Sequence, residues 1–122
     1  MNTPQVSLII PTYNRERVLC DTIRYALKQD FGNYEILVID QTEKHSPETC
    51  LFLQSLPEKV RIIHFFPASL PGARNRGVLE ARGEIVLMID DDVIIKEDFI
   101  NQHLRYYQNP EVVCVTGRMF GF

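Results

Sequence analysis

Short runs of consecutive apolar residues recur along the chain and alternate with longer segments in which apolar side chains return every three or four positions. Unbroken apolar runs are typical of strands that are covered on both faces, and the longer spacing predicts amphipathic helices. The pattern predicts five strands, at residues 6–10, 35–39, 60–66, 84–89 and 112–115. Helical segments separate them, as in proteins built from βαβ units.

Capping residues and chain breakers bound four predicted helices. Asn14 is a predicted N-cap for the first helix, and Ser46, followed by Pro47 at the first helical position, opens the second. Pro71 opens the third helix, and the fourth holds the apolar residues of 99–107. The repeated strand–helix order predicts an α/β fold, with a mostly parallel, Rossmann-like sheet and helices on both faces.

Composition narrows the class of protein. At 122 residues the chain is expected to form one domain, and a net charge of −3 without a basic face argues against nucleic-acid binding. Three scattered cysteines without a Cys-x-x-Cys pair favour free thiols in a reducing compartment. The N-terminus lacks a signal-peptide pattern, and no apolar run approaches the roughly 20 residues of a membrane span. We therefore expect a cytoplasmic chain, with membrane association of a longer protein as the alternative.

Polar residues interrupt the apolar pattern directly after the predicted strands. They are Pro11, Thr12 and Tyr13 after the first strand, Asp40 after the second, Arg74 early in the third helix, and Asp90, Asp91 and Asp92 after the fourth strand. In open α/β sheets the carboxyl ends of the strands form one rim, where ligands bind. Each residue also has a simpler interpretation, as a loop aromatic, a turn aspartate, a solvated arginine or a solvated acidic turn. Their expected convergence on one rim favours a binding site.

The three consecutive aspartates suggest a cation site. Like charges a few ångströms apart repel by about 1–4 kcal/mol per pair, so a positive partner is expected. On an extended strand Asp90 and Asp92 point to the same face while Asp91 points elsewhere. Two carboxylates, with waters and phosphate oxygens completing the coordination shell, are a common way for proteins to hold Mg²⁺ or Mn²⁺. Zinc is disfavoured because no histidine lies near them in the sequence.

The same rim suits a nucleotide whose diphosphate is carried by the metal. Tyr13 offers an aromatic face to a base, Asp40 can accept hydrogen bonds from a base N–H, and Arg74 can donate to base or phosphate. The chain has no P-loop and no dinucleotide-binding glycine motif. The metal is therefore expected to neutralise most of the charge of the anion.

Three motifs resemble, in order and spacing, those of the glycosyltransferase family 2 enzymes with the GT-A fold: VSLIIPTYNR (6–15), EILVID (35–40) and LPGARNRGVLEARGEIVLMIDDDV (70–93). The resemblance covers nearly the whole chain. It implies transfer of a sugar, with inversion, from a nucleotide-activated donor to an acceptor hydroxyl, with Mn²⁺ or Mg²⁺ as cofactor. The donor would be a UDP-sugar, and the acceptor a carbohydrate or a lipid-linked molecule.

The resemblance also implies roles at the nucleotide. Pro11, Thr12 and Tyr13 match the loop that contacts the base in this family. Asp40 matches the acid that reads the base ring, most often uracil. Arg74 matches the arginine of an A-R-N-x-G segment near the nucleotide.

At the diphosphate end, Asp90 and Asp92 match the D-x-D motif of the family, the first near the ribose and the second on the metal. Asp91 fills the variable middle position. One departure concerns the base-reading loop, where the family often has a second acid, a glycine and a serine after the first acid. This chain instead has Gln-Thr-Glu after Asp40, which leaves the shape of the loop and the choice of base open.

In this family the acceptor site and the catalytic base come from the second half of the domain. Residues 1–122 are therefore expected to be the nucleotide-sugar-binding half, truncated at the C-terminus, with the base beyond Phe122. Glu97 and Asp98 are better explained as acids at a helix N-terminus than as the base. The fragment is expected to bind donor without transferring sugar, and its truncated edge could form homo-oligomers. The alternative function is a non-catalytic nucleotide or nucleotide-sugar binding module.

Overall fold

The computed structural model describes residues 3–117, in which four strands alternate with four helices. In chain order these are β1 (Val6–Thr12), α1 (Arg17–Leu27), β2 (Tyr34–Asp40), α2 (Pro47–Gln54), β3 (Val60–His64), α3 (Leu70–Glu80), β4 (Ile85–Met88) and α4 (Phe99–Leu104), followed by a 3₁₀ turn at Arg105–Gln108. Across residues 3–117, no helix combines the length and the apolar character that a membrane crossing needs.

The strands form one parallel sheet in the order β3-β2-β1-β4. β1 and β2 pair along their whole length, from Val6 opposite Tyr34 to Thr12 opposite Asp40, and every residue of both strands is buried. The chain adds β2 and β3 on one side of β1 and then crosses back to place β4 on the other side. The strand order therefore reverses between β1 and β4, where sheets of this kind open a crevice for ligands.

Helices cover both faces of the sheet, which confirms the predicted α/β architecture. Leu8 and Ile10 of β1 point to one face, where they pack against α1 and belong to a cluster that α2 and α4 complete. Ile9 points to the opposite face and joins Leu37 and Ala73 under α3. This alternation of neighbouring positions is the period of two expected of an extended strand.

Helix α3 lies directly against the central strand β1. A Cβ atom at Gly77 would lie 2.6 Å from Cγ2 of Ile9, closer than van der Waals contact permits. Ile9 is fully buried, so it has little room to move aside. The glycine at position 77 is what allows the helix to approach this closely.

The predicted fifth strand at 112–115 is wrong. Residues 112–117 have no regular structure, and Val113 is 88% exposed. An apolar, β-branched run becomes a strand only where a neighbouring strand accepts its hydrogen bonds, and no described strand pairs with this one. β3 and α4 are also shorter than predicted, ending at His64 and Leu104.

One of the two predicted helix caps is wrong. Asn14 lies in the left-handed region, with φ of 54°, and α1 begins only at Arg17, after Glu16. The second cap is confirmed, because the Ser46 hydroxyl accepts a backbone N–H of the first turn of α2 and Pro47 occupies the first helical position.

Replacing Gly77 by alanine should destabilise the fold by about 1–3 kcal/mol, because the added methyl group overpacks against Ile9. Urea denaturation followed by circular dichroism would measure this as a lower free energy of unfolding. Gly32→Ala is the matched control: a Cβ there meets nothing within 4 Å, and its effect should stay within about 0.5 kcal/mol. Equal losses from the two substitutions would contradict the packing argument.

Candidate functional site

A cleft of about 510 Å³ opens at the carboxyl ends of β1 and β4, the place where the strand order reverses. This volume lies within the range of pockets that hold small molecules and cofactors, about 300–1,000 Å³. Its walls are formed by Pro11, Thr12, Tyr13, Arg15, Gln41, Ala68, Ser69, Leu70, Asp90, Asp91 and Asp92. The structure therefore brings together five of the predicted site residues, namely Pro11, Thr12, Tyr13, Asp90 and Asp92.

The three aspartates divide into two exposed carboxylates and one that is tied to the protein. Asp90 and Asp92 are exposed, whereas the Asp91 side chain is only 13% exposed and its Oδ2 accepts a 2.8 Å hydrogen bond from Thr12 Oγ1. β4 ends at Met88, and Asp91 and Asp92 lie in a turn. The alternation of side chains along an extended strand therefore does not apply to Asp91 and Asp92. Instead, the hydrogen bond from Thr12 turns the Asp91 side chain away from its neighbours.

Arg15 supplies a positive charge that the sequence analysis did not assign to the site. Its Nε lies 3.5 Å from Asp91 Oδ1, and its Nη2 lies 3.7 Å from Asp92 Oδ2. Arg15 is about half exposed, so these ion pairs are screened and each contributes about 0–1 kcal/mol. One guanidinium against three carboxylates leaves this end of the cleft negative.

The donor set at this end fits a hard divalent cation. The residues in 3–117 contain no group of three or more His, Cys, Asp or Glu side chains that could hold a metal ion together. Mg²⁺ and Mn²⁺ do not need such a cage, because one or two carboxylates suffice when a bound phosphate and waters supply the other oxygens. The exposed carboxylates of Asp90 and Asp92 match this requirement.

Tyr13 projects from the loop after β1 at the edge of the cleft and is 54% exposed. The next residue, Asn14, turns the backbone with its positive φ and donates its N–H to Thr42 Oγ1 at 2.8 Å. The loop after β1 is thereby attached to the loop after β2. An aromatic ring held in this way presents a face on which a flat ligand can stack.

The structure places Asp40 beneath the cleft rather than in its wall. Asp40 has no exposed surface, its Oδ1 accepts the Thr42 N–H at 3.1 Å, and its Oδ2 lies 2.6 Å from His45 Nε2. The following residue, Gln41, lines the cleft instead. Its amide donates to the Thr12 carbonyl at 3.2 Å and accepts the Ser69 N–H at 2.6 Å.

His45 also contacts a second carboxylate, so that it bridges two acids. Its Nδ1 lies 2.6 Å from Glu16 Oε2, and Glu16 Oε1 accepts the Ser46 N–H at 2.7 Å. Burial alone would lower the pKa of His45, but the hydrogen bonds and charges of Glu16 and Asp40 outweigh it and raise this pKa above its ordinary value. Partial burial would raise the pKa of Glu16, but hydrogen bonds with His45 and Ser46 lower it overall.

Arg74 does not reach the cleft. It is exposed on α3, and the segment just before it, residues 68–70, contributes to the cleft wall in its place. Of the predicted site residues, Asp40 and Arg74 are thus the two that the structure leaves outside the cleft. Their proposed roles at the nucleotide remain predictions.

Solved structures share this fold. TarS of S. aureus, residues 1–349 in complex with UDP, aligns with 85% of this chain at 25% identity and a TM-score of 0.72. The mannosyltransferase PcManGT of Pyrobaculum calidifontis, solved with GDP-Man and Mn²⁺, aligns with 91% of it at 22% identity and a TM-score of 0.77. The aligned parts make up 32% and 34% of those two chains.

Relatives in sequence include proteins named as glycosyltransferases of bacteria. The chain is 28% identical over 119 residues to the glycosyltransferase GlyG of Streptococcus pneumoniae, and 32% identical over 106 residues to the putative glycosyltransferase EpsH of Bacillus subtilis. The alignments include 96% and 86% of this chain, but only 40% and 31% of the relatives.

The family indicated by the three sequence motifs is confirmed by a family model as well as by these relatives. The model for Glycosyl transferase family 2 matches residues 7–122, nearly the whole chain. The chain belongs to glycosyltransferase family 2.

Proposed function

We propose that this chain is the donor-binding part of a metal-dependent, inverting glycosyltransferase that uses a UDP-sugar. The observation that carries the proposal is the cleft itself, in which the exposed carboxylates of Asp90 and Asp92 face the same space as the exposed ring of Tyr13. This arrangement offers an oxygen-rich end for a metal-bound diphosphate and an aromatic end for a base. The UDP complex of TarS, at 25% identity, supports the choice of uridine.

The charge at the acidic end requires a cation before a diphosphate can bind. Asp90, Asp91 and Asp92 would repel a diphosphate, and Arg15 is the only arginine or lysine in the cleft wall among residues 3–117. Asp92 and Asp90 are the residues that would hold Mn²⁺ or Mg²⁺. When bound, the ion supplies Lewis-acid stabilisation of the departing nucleoside diphosphate.

At the base end we assign stacking to Tyr13, on the rim formed by Pro11 and Thr12, and recognition of the base edge to Asp40. Tyr13 is already exposed, so stacking needs no rearrangement. Asp40 is fully buried, so its contact with a base requires residues 41–46, which include its partners Thr42 and His45, to move. Arg74 would approach the nucleotide from α3.

In the proposed reaction, an acceptor hydroxyl attacks the anomeric carbon of the donor sugar, and the bond to the nucleoside diphosphate breaks. The part played by residues 3–117 is to bind the donor, to orient its diphosphate and to hold its base. The acceptor, a carbohydrate or a lipid-linked molecule, and the catalytic base are assigned to the further length that the relatives have. We accordingly expect this chain to bind the donor and to transfer nothing.

Asp92→Asn should weaken UDP binding in the presence of Mn²⁺ by about tenfold or more, because it removes one of two carboxylates that would hold the ion. Isothermal titration calorimetry with and without EDTA would measure this. Asp21→Asn is the matched control, since Asp21 pairs only with Arg24 on the exposed side of α1 among the described residues. UDP binding that is insensitive both to EDTA and to Asp92→Asn would refute the metal-dependent mechanism.

Tyr13→Ala should weaken UDP binding by about tenfold, because the stacking of a base on an aromatic ring contributes about 1–3 kcal/mol. Binding of inorganic pyrophosphate with Mn²⁺ should stay unchanged, since it has no base. Tyr106→Ala is the control, because Tyr106 is equally exposed, at 54%, but lies outside the cleft. If Tyr13→Ala left UDP affinity at the level of Tyr106→Ala, the assignment of the base end to Tyr13 would be wrong.

A further inference from the structure

The loops that follow β1 and β2 are joined by a continuous set of hydrogen bonds. We call residues 41–46 the covering segment, because they follow the buried Asp40 and contain its side-chain partners. Gln41 N–H donates to the Thr12 carbonyl at 3.0 Å. The next residue of the covering segment, Thr42, accepts the Asn14 N–H on its Oγ1 at 2.8 Å. At its other end, the covering segment is held to the start of α1 by Glu16.

His45 is the titratable centre of this arrangement. Both of its ring nitrogens lie 2.6 Å from a carboxylate oxygen, one of Asp40 and one of Glu16. A neutral imidazole has one N–H and can serve only one of these acceptors, whereas an imidazolium can serve both. With both acids ionised, the geometry therefore fits a doubly protonated ring, in agreement with the raised pKa of His45.

Other ionisable groups around His45 do not replace these partners. Glu43 and Lys44 of the covering segment are exposed. From α2, Cys50 places its Sγ 3.9 Å from the backbone carbonyl of His45, not from the ring. On the neighbouring strand, His64 is exposed and stands opposite Asp40 in the sheet register. The charge balance at the ring is therefore set by Asp40 and Glu16.

The hydrogen bond from His45 occupies the acceptor that a base would use. A uracil imide N–H and the His45 N–H are both donors to the Asp40 carboxylate, and Asp40 has no exposed surface while His45 and Thr42 contact it. We propose that His45 controls access to Asp40, an inference that rests on the function proposed above. When His45 is charged, the Glu16–His45–Asp40 bridge closes the base subsite, and loss of the His45 proton opens the subsite.

The order in which contacts are lost follows from burial. Asp40 is fully buried and cannot exchange His45 for water, so a neutral ring keeps its single N–H on Asp40. The Glu16 side chain is 39% exposed and can be solvated instead. Deprotonation thus removes the contact between His45 and Glu16 and leaves the bond from Ser46 N–H to Glu16 Oε1 as the tie to the start of α1. The covering segment is then held less firmly, and the single, now uncharged N–H of His45 is the donor that a base has to displace from Asp40.

The same proton should couple to folding. Because the pKa of His45 is raised in the folded state, the stabilisation that it provides is complete below its ordinary value of 6.5 and is lost as pH rises through the folded-state pKa. The urea midpoint of the wild type should therefore fall from pH 6 to pH 9, and the fall should be smaller in His45→Asn. Identical pH profiles for the two proteins would overturn the assignment of a charged bridge.

Nucleotide binding should show the opposite trend. If the base subsite is closed about ten times more often than it is open, the apparent affinity for UDP is about tenfold weaker than that of the open subsite. The UDP affinity of the wild type, measured with Mg²⁺, should therefore rise about tenfold between pH 6 and pH 8.5. Binding of inorganic pyrophosphate with Mg²⁺ provides the base-free comparison. The phosphate of UDP also titrates, and its contribution to the pH profile is corrected for by measuring the same curve with His45→Asn.

Three variants make the test specific. His45→Asn should bind UDP at pH 6 about as tightly as the wild type does at pH 8.5, since the shorter asparagine side chain has no donor at the position of His45 Nε2 and carries no charge. Glu16→Gln should move the midpoint of the binding profile to lower pH, because one of the two anions that stabilise the imidazolium is gone. His64→Gln, at the exposed histidine beside Asp40, should reproduce the wild-type curve.

The outcomes separate the two proposals. UDP binding whose pH profile is the same in the wild type and His45→Asn, or which weakens in His45→Asn, overturns the closing role of His45 and leaves the proposed function standing. Failure of UDP to bind at any pH with either Mg²⁺ or Mn²⁺, even in His45→Asn, overturns both, because the opened variant should admit the base.

Discussion

The hydrogen bond from Thr12 Oγ1 to Asp91 Oδ2, 2.8 Å long, joins the carboxyl ends of the two strands between which the sheet order reverses. The Thr22 hydroxyl adds a second tie from α1, donating to the Asp91 carbonyl at 2.9 Å. Together they fix the acidic turn after β4 to the end of β1 and to α1. Both the separation of Asp91 from its neighbours and the shape of the cleft depend on this connection.

The electrostatics of the cleft follow from that connection. Three adjacent carboxylates repel one another, and the protein reduces the cost by giving Asp91 a hydroxyl donor and by placing Arg15 within 4 Å of Asp91 and Asp92. Asp90 is left exposed without an ion pair among residues 3–117. The repulsion is thus only partly offset, and an end of the cleft that stays negative attracts cations more strongly than a neutral one would.

The sequence was sufficient to predict the α/β class, the four strands of the sheet and the rim on which Tyr13, Asp90 and Asp92 meet, because long apolar runs and helical spacing are local signals. It was not sufficient for the role of Arg15, whose partners lie more than 70 residues away in the chain. Nor did local propensity separate β4 from residues 112–115, since both are apolar and, in the described part of the chain, only β4 has a pairing partner.

The contact between Asp40 and His45 is a second feature that the sequence was not sufficient to predict. The position of Asp40 at the end of β2 follows from the apolar run before it, but the bridge that His45 makes from Asp40 to Glu16 forms only in three dimensions. A lone histidine in a polar loop gives no sign in the sequence that both of its nitrogens will face carboxylates. The sequence does show that the loop after Asp40 departs from the usual pattern of the family, but this departure does not identify the partners of His45.

That departure has a local explanation in Gln41. Where the family often has a second acid, this chain has an amide that donates to the Thr12 carbonyl and accepts the Ser69 N–H. A carboxylate could accept from Ser69 but has no proton to donate to Thr12. An acid at 41 would therefore leave the side-chain link to β1 unmade and add a further negative charge to a cleft wall that already carries three. The glutamine allows one side chain to connect the end of β1 with the start of α3, and it spares the acidic end of the cleft a fourth charge that a bound cation would have to balance.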